Sequence, residues 1–115
     1  MENTHKPVVA LIYDFDGTLS PRNMQEYSFI RALNMSPKDF WSKAQALSEK
    51  NDASSISCYM KLMLDEAKSK NISLQRKSFR SFGHEVELFP GVKEWFSLIN
   101  KLGDEKELTI KHYIN

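Results

Sequence analysis

The stretch that decides the fold is Pro7–Ser20, "PVVALIYDFDGTLS". Pro7 to Tyr13 form a continuous apolar run with β-branched members, and the run stops at a polar turn. That pattern predicts a strand buried on both faces, as in a parallel sheet. A short buried helix would show the same run, but Pro7 in front and Gly17 behind favour the strand. Directly after it come two aspartates, Asp14 and Asp16, then Gly17 and Thr18. Carboxylates this close repel one another. A surface turn tolerates that repulsion, whereas a site that binds a cation makes use of it.

Beyond the turn the apolar period becomes helical. Tyr27, Ile30 and Leu33 recur at helical spacing. "SPKD" (Ser36–Asp39) reads as a helix start, with Ser36 as the cap, Pro37 at the first helical position and Asp39 closing a capping box. Phe40, Trp41, Ala44 and Leu47 form the apolar stripe behind it. Ile56, Tyr59, Met60, Met63, Leu64 and Ala67 give the clearest amphipathic pattern in the chain, ended by Asn71. Ser73 is a candidate cap for a further helix carrying Phe79 and Phe82. Residues 23–88 thus read as a bundle of about four helices. Their aromatic and methionine side chains are expected to be packing core rather than a ligand box.

"FPGVKEWFSLINKLG" (Phe89–Gly103) is a separate helical unit. Val92, Trp95, Phe96, Ile99 and Leu102 share one face, and Gly103 is the expected stop. "DEKE" (Asp104–Glu107) is a polar connection, and "LTIKHYI" (Leu108–Ile114) reads as a second strand. The helix between is the crossover of a βαβ unit, with the bundle inserted after the first strand.

Composition narrows the function classes. The 115 residues hold 16 basic and 15 acidic side chains, without the basic excess that nucleic-acid binding calls for. His5, His84 and His112 are scattered without metal-ligand spacing. One cysteine, Cys58, rules out an internal disulfide framework and reads as a small buried side chain in a helix. The apolar run at Val8–Tyr13 is too short for a membrane span or a signal-peptide core, so the chain is expected to be cytoplasmic.

A strand-end aspartate projects where open α/β folds bind ligands. Alternation along the strand sends Phe15 the other way, so Asp14 and Asp16 are expected to share one site. Gly17 permits a backbone conformation or a close approach that a Cβ would block. Thr18 adds a hydroxyl and a backbone N–H. Two carboxylates at this spacing suit Mg2+, which takes oxygen ligands and keeps several waters. One aspartate can then attack phosphorus, while the other protonates the leaving alcohol and activates water. Arg22 and Asn23 follow closely; Arg22 suits a substrate anion, or is simply a solvated arginine.

Three other readings apply to the same residues. Asp14–Thr18 can be a plain strand-to-helix turn, where Asp and Gly are common. An EF-hand loop also begins Asp-x-Asp but needs Gly at its sixth position, which here is Leu19. An NTPase metal aspartate is disfavoured because no GKS or GKT phosphate loop is present.

"DFDGTLS" (Asp14–Ser20) resembles motif one of the haloacid dehalogenase-like hydrolase superfamily, Asp-x-Asp-x-Thr after an apolar strand. The resemblance implies that Asp14 is the nucleophile and a metal ligand. It implies that Asp16 is the general acid/base, with its carbonyl on the metal, and that Thr18 braces the loop. Phe15 and Gly17 complete the loop. The second Asp is similar to the phosphatase branch. The insertion at 23–88 resembles the helical cap of many members, and "FPGVKEWFSLI" (Phe89–Ile99) the segment that returns from it. The family's second motif would follow the Leu108–Ile114 strand, and its later lysine and acidic pair later still. Lys101, Lys106 and Lys111 come too early in the order to match that lysine.

The expected fold is therefore α/β: a partial Rossmann-like parallel-sheet core over 1–22 and 89–115, with an inserted α-helical cap bundle over 23–88. The expected function is Mg2+-dependent hydrolysis of a small phosphorylated metabolite through an aspartyl-phosphate. The chain would be the N-terminal part of a longer hydrolase. The alternative is a non-catalytic fragment or cap module, because missing phosphate-balancing groups would remove most transition-state stabilisation. The open edges of a two-strand sheet invite self-association.

Overall fold

A computed structural model describes residues 5–115. The apolar run forms strand β1 (Val8–Tyr13), which pairs in parallel with a last strand, Thr109–Ile114. Five α-helices lie between them: α1 (Phe29–Ala32), α2 (Pro37–Asn51), α3 (Ser55–Ser69), α4 (Arg76–Phe82) and α5 (Val92–Glu105). The last strand is β2. The chain divides into two units, one of the described residues up to Asn23 together with Glu87–Asn115, the other Met24–Val86.

In the first unit the register runs from Val8 opposite Thr109 to Tyr13 opposite Ile114. Parallel strands need a crossover, and α5 supplies it. Leu11 and Tyr13 on β1, and Ile110 and His112 on β2, are half-buried on one face. On the other face Val8, Ala10, Ile12, Lys111 and Tyr113 are exposed, Ile12 to 72%. The expectation of a strand buried on both faces therefore fails among the described residues. One helix can cover only one side of a two-stranded sheet.

Gly103 is not the stop of α5. It is buried inside the helix, which runs on through Asp104 and Glu105. A Cβ built on Gly103 would fall 2.5 Å from Ile110 Cγ1. The glycine is there for close approach of helix to strand. Glu107, at φ 57°, takes the left-handed conformation that ends the helix, and the Leu108 N–H closes it on the Gly103 carbonyl at 2.8 Å.

In the second unit, α2 begins as its sequence dictates. Ser36 has extended backbone and its Oγ accepts from the Asp39 N–H at 3.1 Å, with Pro37 as the first helical residue. Phe40 and Ala44 are buried, and Trp41 and Leu47 half-buried. On α3 the stripe is rotated from the one expected. Cys58, Leu62 and Ala67 are buried, Tyr59 and Met63 half-buried, and Ile56, Met60 and Leu64 exposed at 54–59%. The helix is apolar around more than half its circumference, so periodicity left two possible faces, and packing against α2 selects one.

Ser73 does not cap α4. That helix starts at Arg76 after Gln75, and the Ser73 Oγ accepts from the Gln75 N–H in the preceding turn. Two short 3-10 turns, Met24–Glu26 and Gly83–Glu85, flank the helices. The core joins Phe29, Ile30 and Leu33 to Phe40, Ala44, Leu62 and Ala67. Each of the larger side chains contributes roughly 1.5–3 kcal/mol by leaving water. Ser28 ties the two ends of the unit, its Oγ lying 3.0 Å from the Phe82 carbonyl and 2.8 Å from Glu85 Oε2. No helix among the described residues is long and apolar enough to cross a membrane.

Candidate functional site

β1 ends at Tyr13, so Asp14 is the first residue beyond the carboxyl end of a parallel strand. The Asn115 N–H donates to the Tyr13 carbonyl at 2.8 Å, which carries the pairing to the same edge. Regular strand geometry stops there. Strand alternation therefore does not govern Asp16; the loop does.

The loop closes on one atom. The Phe15 carbonyl accepts from the N–H groups of Thr18 at 3.1 Å, Leu19 at 3.0 Å and Ser20 at 3.1 Å. The Gly17 N–H returns to the Ser20 carbonyl at 2.7 Å, completing an isolated parallel bridge between Asp16 and Ser20. Gly17 sits at φ 79°, a conformation that costs a residue with a Cβ about 1 kcal/mol or more. Asp14, Gly17 and Thr18 are exposed, and Phe15 and Asp16 half-buried. Arg22 and Asn23 are also exposed.

What fixes this loop is its far end. Leu19 is 5% exposed and Ser20 fully buried. The Ser20 hydroxyl donates to the Glu87 carbonyl at 2.6 Å, and the Phe89 N–H donates to the Leu19 carbonyl at 2.9 Å. Gly91, at φ 89°, then turns the chain into α5. The segment Glu87–Phe89 thus braces the aspartate loop, a role no local pattern announces because Ser20 and Glu87 lie 67 residues apart.

Tyr13, beside Asp14 in sequence, is fixed by a second set of bonds. Trp95 Nε1–H donates to the Tyr13 hydroxyl at 2.9 Å, and that hydroxyl lies 2.7 Å from His112 Nδ1. His112 Nε2 lies 2.7 Å from Asn100 Oδ1. The amide oxygen only accepts, so Nε2 carries the proton, Nδ1 accepts, and Tyr13 is the donor to it. Tyr13 also meets Phe96 edge-on and stacks on His112. His112, which the sequence placed on the second strand without a role, links β2 to β1 and α5.

Chemically, the loop presents two carboxylates. Mg2+ in phosphoryl-transfer sites takes one or two protein carboxylates and fills its shell with water and phosphate oxygens, so Asp14 and Asp16 suit it. Among the described residues no group of three or more His, Cys, Asp or Glu side chains gathers to hold a metal. Lys101, Lys106 and Lys111 are exposed, on α5, at its end and on β2. No family model matches the chain, and no curated protein or solved structure matches it either.

Proposed function

We propose that this chain carries the nucleophile loop of a Mg2+-dependent phosphomonoester hydrolase of the haloacid dehalogenase-like kind, with Met24–Val86 as its helical cap. The observation behind this reading is the position of Asp14. It stands one residue past a parallel strand, followed by a glycine at positive φ and a loop closed on the Phe15 carbonyl. The two strands and α5 would then belong to a Rossmann-like core.

In this reading a carboxylate oxygen of Asp14 attacks phosphorus of a small phosphomonoester. The bond from phosphorus to the alcohol oxygen breaks as Asp16 delivers a proton to that oxygen. Water then attacks the aspartyl-phosphate, gives its proton to Asp16, and releases phosphate with Asp14 restored. Mg2+, when bound, would offset the charge of the phosphate against the two carboxylates. The test is phosphate release from p-nitrophenyl phosphate by the full gene product. Asp14→Asn is expected to lower kcat by about a thousandfold or more. Activity that survives the change overturns the reading.

A second reading, a non-catalytic module, draws on the small donor set. Among the described residues no third His, Cys, Asp or Glu side chain gathers with two others to complete a metal site, and without such balancing charge a transferring phosphoryl group is poorly stabilised. On this ground the isolated 115-residue chain is expected to show negligible turnover. Mg2+-dependent hydrolysis by that chain would exclude the second reading.

A further inference from the structure

The helical unit carries a concave, nearly all-apolar pocket of about 360 Å³, within the size range of small-molecule sites. Its walls are methionine and aromatic: Met24 before α1, Met60 and Met63 on α3, and Phe79 and Phe82 on α4. Gln25 also lines it. Among the described residues, the side-chain oxygen of Gln25 is the one buried side-chain polar atom with no hydrogen-bond partner. Leaving such an acceptor unsatisfied costs about 1–3 kcal/mol. Gln25 lines a space large enough for a ring, but the oxygen itself is buried; turning it toward a ligand takes a rotation of the side chain, whose terminal torsion is soft.

We propose that this pocket binds a small aromatic molecule bearing one hydroxyl or N–H donor, which Gln25 accepts. The methionines favour that class. Their unbranched, polarizable side chains adapt to a ring and make favourable sulfur–aromatic contacts. Met60 is half exposed and Phe79 40% exposed, surface that such a ligand would cover. The pocket lies wholly within Met24–Val86 and does not depend on the role proposed for Asp14.

The test compares two isomers on the intact chain with 13C-methyl-labelled methionine. The isomers are p-cresol, which donates through its hydroxyl, and anisole, which has the same atoms but no donor. The methyl signals of Met24, Met60 and Met63 are expected to shift saturably. Met35, which packs on the core and does not line the pocket, is the internal control. p-Cresol is expected to bind about tenfold more tightly than anisole, the worth of roughly one hydrogen bond. Gln25→Leu is expected to bring that ratio close to one while both isomers still bind. Ser42→Ala, an exposed change on α2, should leave the ratio at its original value and so controls for substitution as such. Unmoved pocket methyls, equal shifts at Met35, equal affinity of the two isomers, or a ratio unchanged in Gln25→Leu would each overturn the proposal.

Discussion

Gly103 on α5 and Ile110 on β2 approach so closely that a single added methyl on the glycine would lie 2.5 Å from Ile110 Cγ1 and 3.2 Å from the Leu108 carbonyl oxygen. This contact sets how near the crossover helix comes to the sheet. Gly103→Ala is therefore expected to destabilise the fold by about 1–3 kcal/mol, outweighing the roughly 1 kcal/mol that alanine gains in helix propensity. Gly83 has helical φ and open space around its Cα, so Gly83→Ala is expected to be neutral or to stabilise by up to about 1 kcal/mol. Urea midpoints for the two variants, at unchanged m-value, check the contrast. A neutral Gly103→Ala would show that the helix can move off the strand without cost.

Ser20 gives a second prediction. Its hydroxyl is buried and bonded to the Glu87 carbonyl at 2.6 Å. Ser20→Ala leaves that carbonyl without its partner, at a cost of about 1–3 kcal/mol. Hydrogen exchange at the N–H groups of Gly17 to Ser20 is expected to accelerate with it, because this bond ties the loop to the returning chain. Unchanged exchange would place the brace elsewhere.

The two aspartates are expected to differ in how they respond to the leaving group. A general acid, the role proposed for Asp16, matters less when the leaving group needs little protonation. Asp16→Asn should therefore cost about 10²–10⁴ in rate on an alkyl phosphate and markedly less on p-nitrophenyl phosphate. Asp14→Asn should cost both substrates equally if Asp14 is the proposed nucleophile, which each would need. Paired kcat/KM values for the full gene product decide this. An Asp16→Asn loss identical on both substrates would remove the acid role.

Glu66 makes part of the helical unit sensitive to acid. Hydrogen bonds from Lys43 on α2 and from Lys70 outweigh the burial that opposes them and hold its carboxyl below the usual carboxylate range. Lys70 also donates to the Leu33 carbonyl, which fixes it in place. A carboxyl whose folded pKa is depressed stabilises the fold above its unfolded pKa, and that contribution is lost as pH falls through the folded value. Between about pH 5 and pH 2, the parent chain is expected to lose more stability than Glu66→Gln. The pH dependence of the urea midpoint measures it; parallel profiles would mean that solvent screens the pair completely.

The open sheet face predicts association. Val8, Ile12 and Tyr113 are exposed on the same face, Ile12 and Tyr113 directly opposite each other, and each strand has an unpaired edge among the described residues. The 115-residue chain is expected to self-associate as its concentration rises, and Ile12→Lys to reduce this. Light scattering that shows a monomer across the range, for both proteins, would contradict it.

Sequence alone determined the local elements whose cause is local. The apolar run ending at Tyr13 became a strand, Ser36 and Pro37 began a helix, and the period around Phe40 and Ala44 named its buried face. The turn after Tyr13 was legible because a glycine, which takes positive φ there, follows the apolar run within a few residues. Tertiary structure decided what depends on partners distant in sequence. It rotated α3 so that Leu62 rather than Met60 is buried, put Gly103 inside a helix rather than at its end, and made His112 a link to Tyr13. It tied Ser20 to Glu87 and left the buried side-chain oxygen of Gln25 without a partner. Periodicity reports that a face is apolar; only the element that packs against it fixes which face is covered and which polar atoms find a partner.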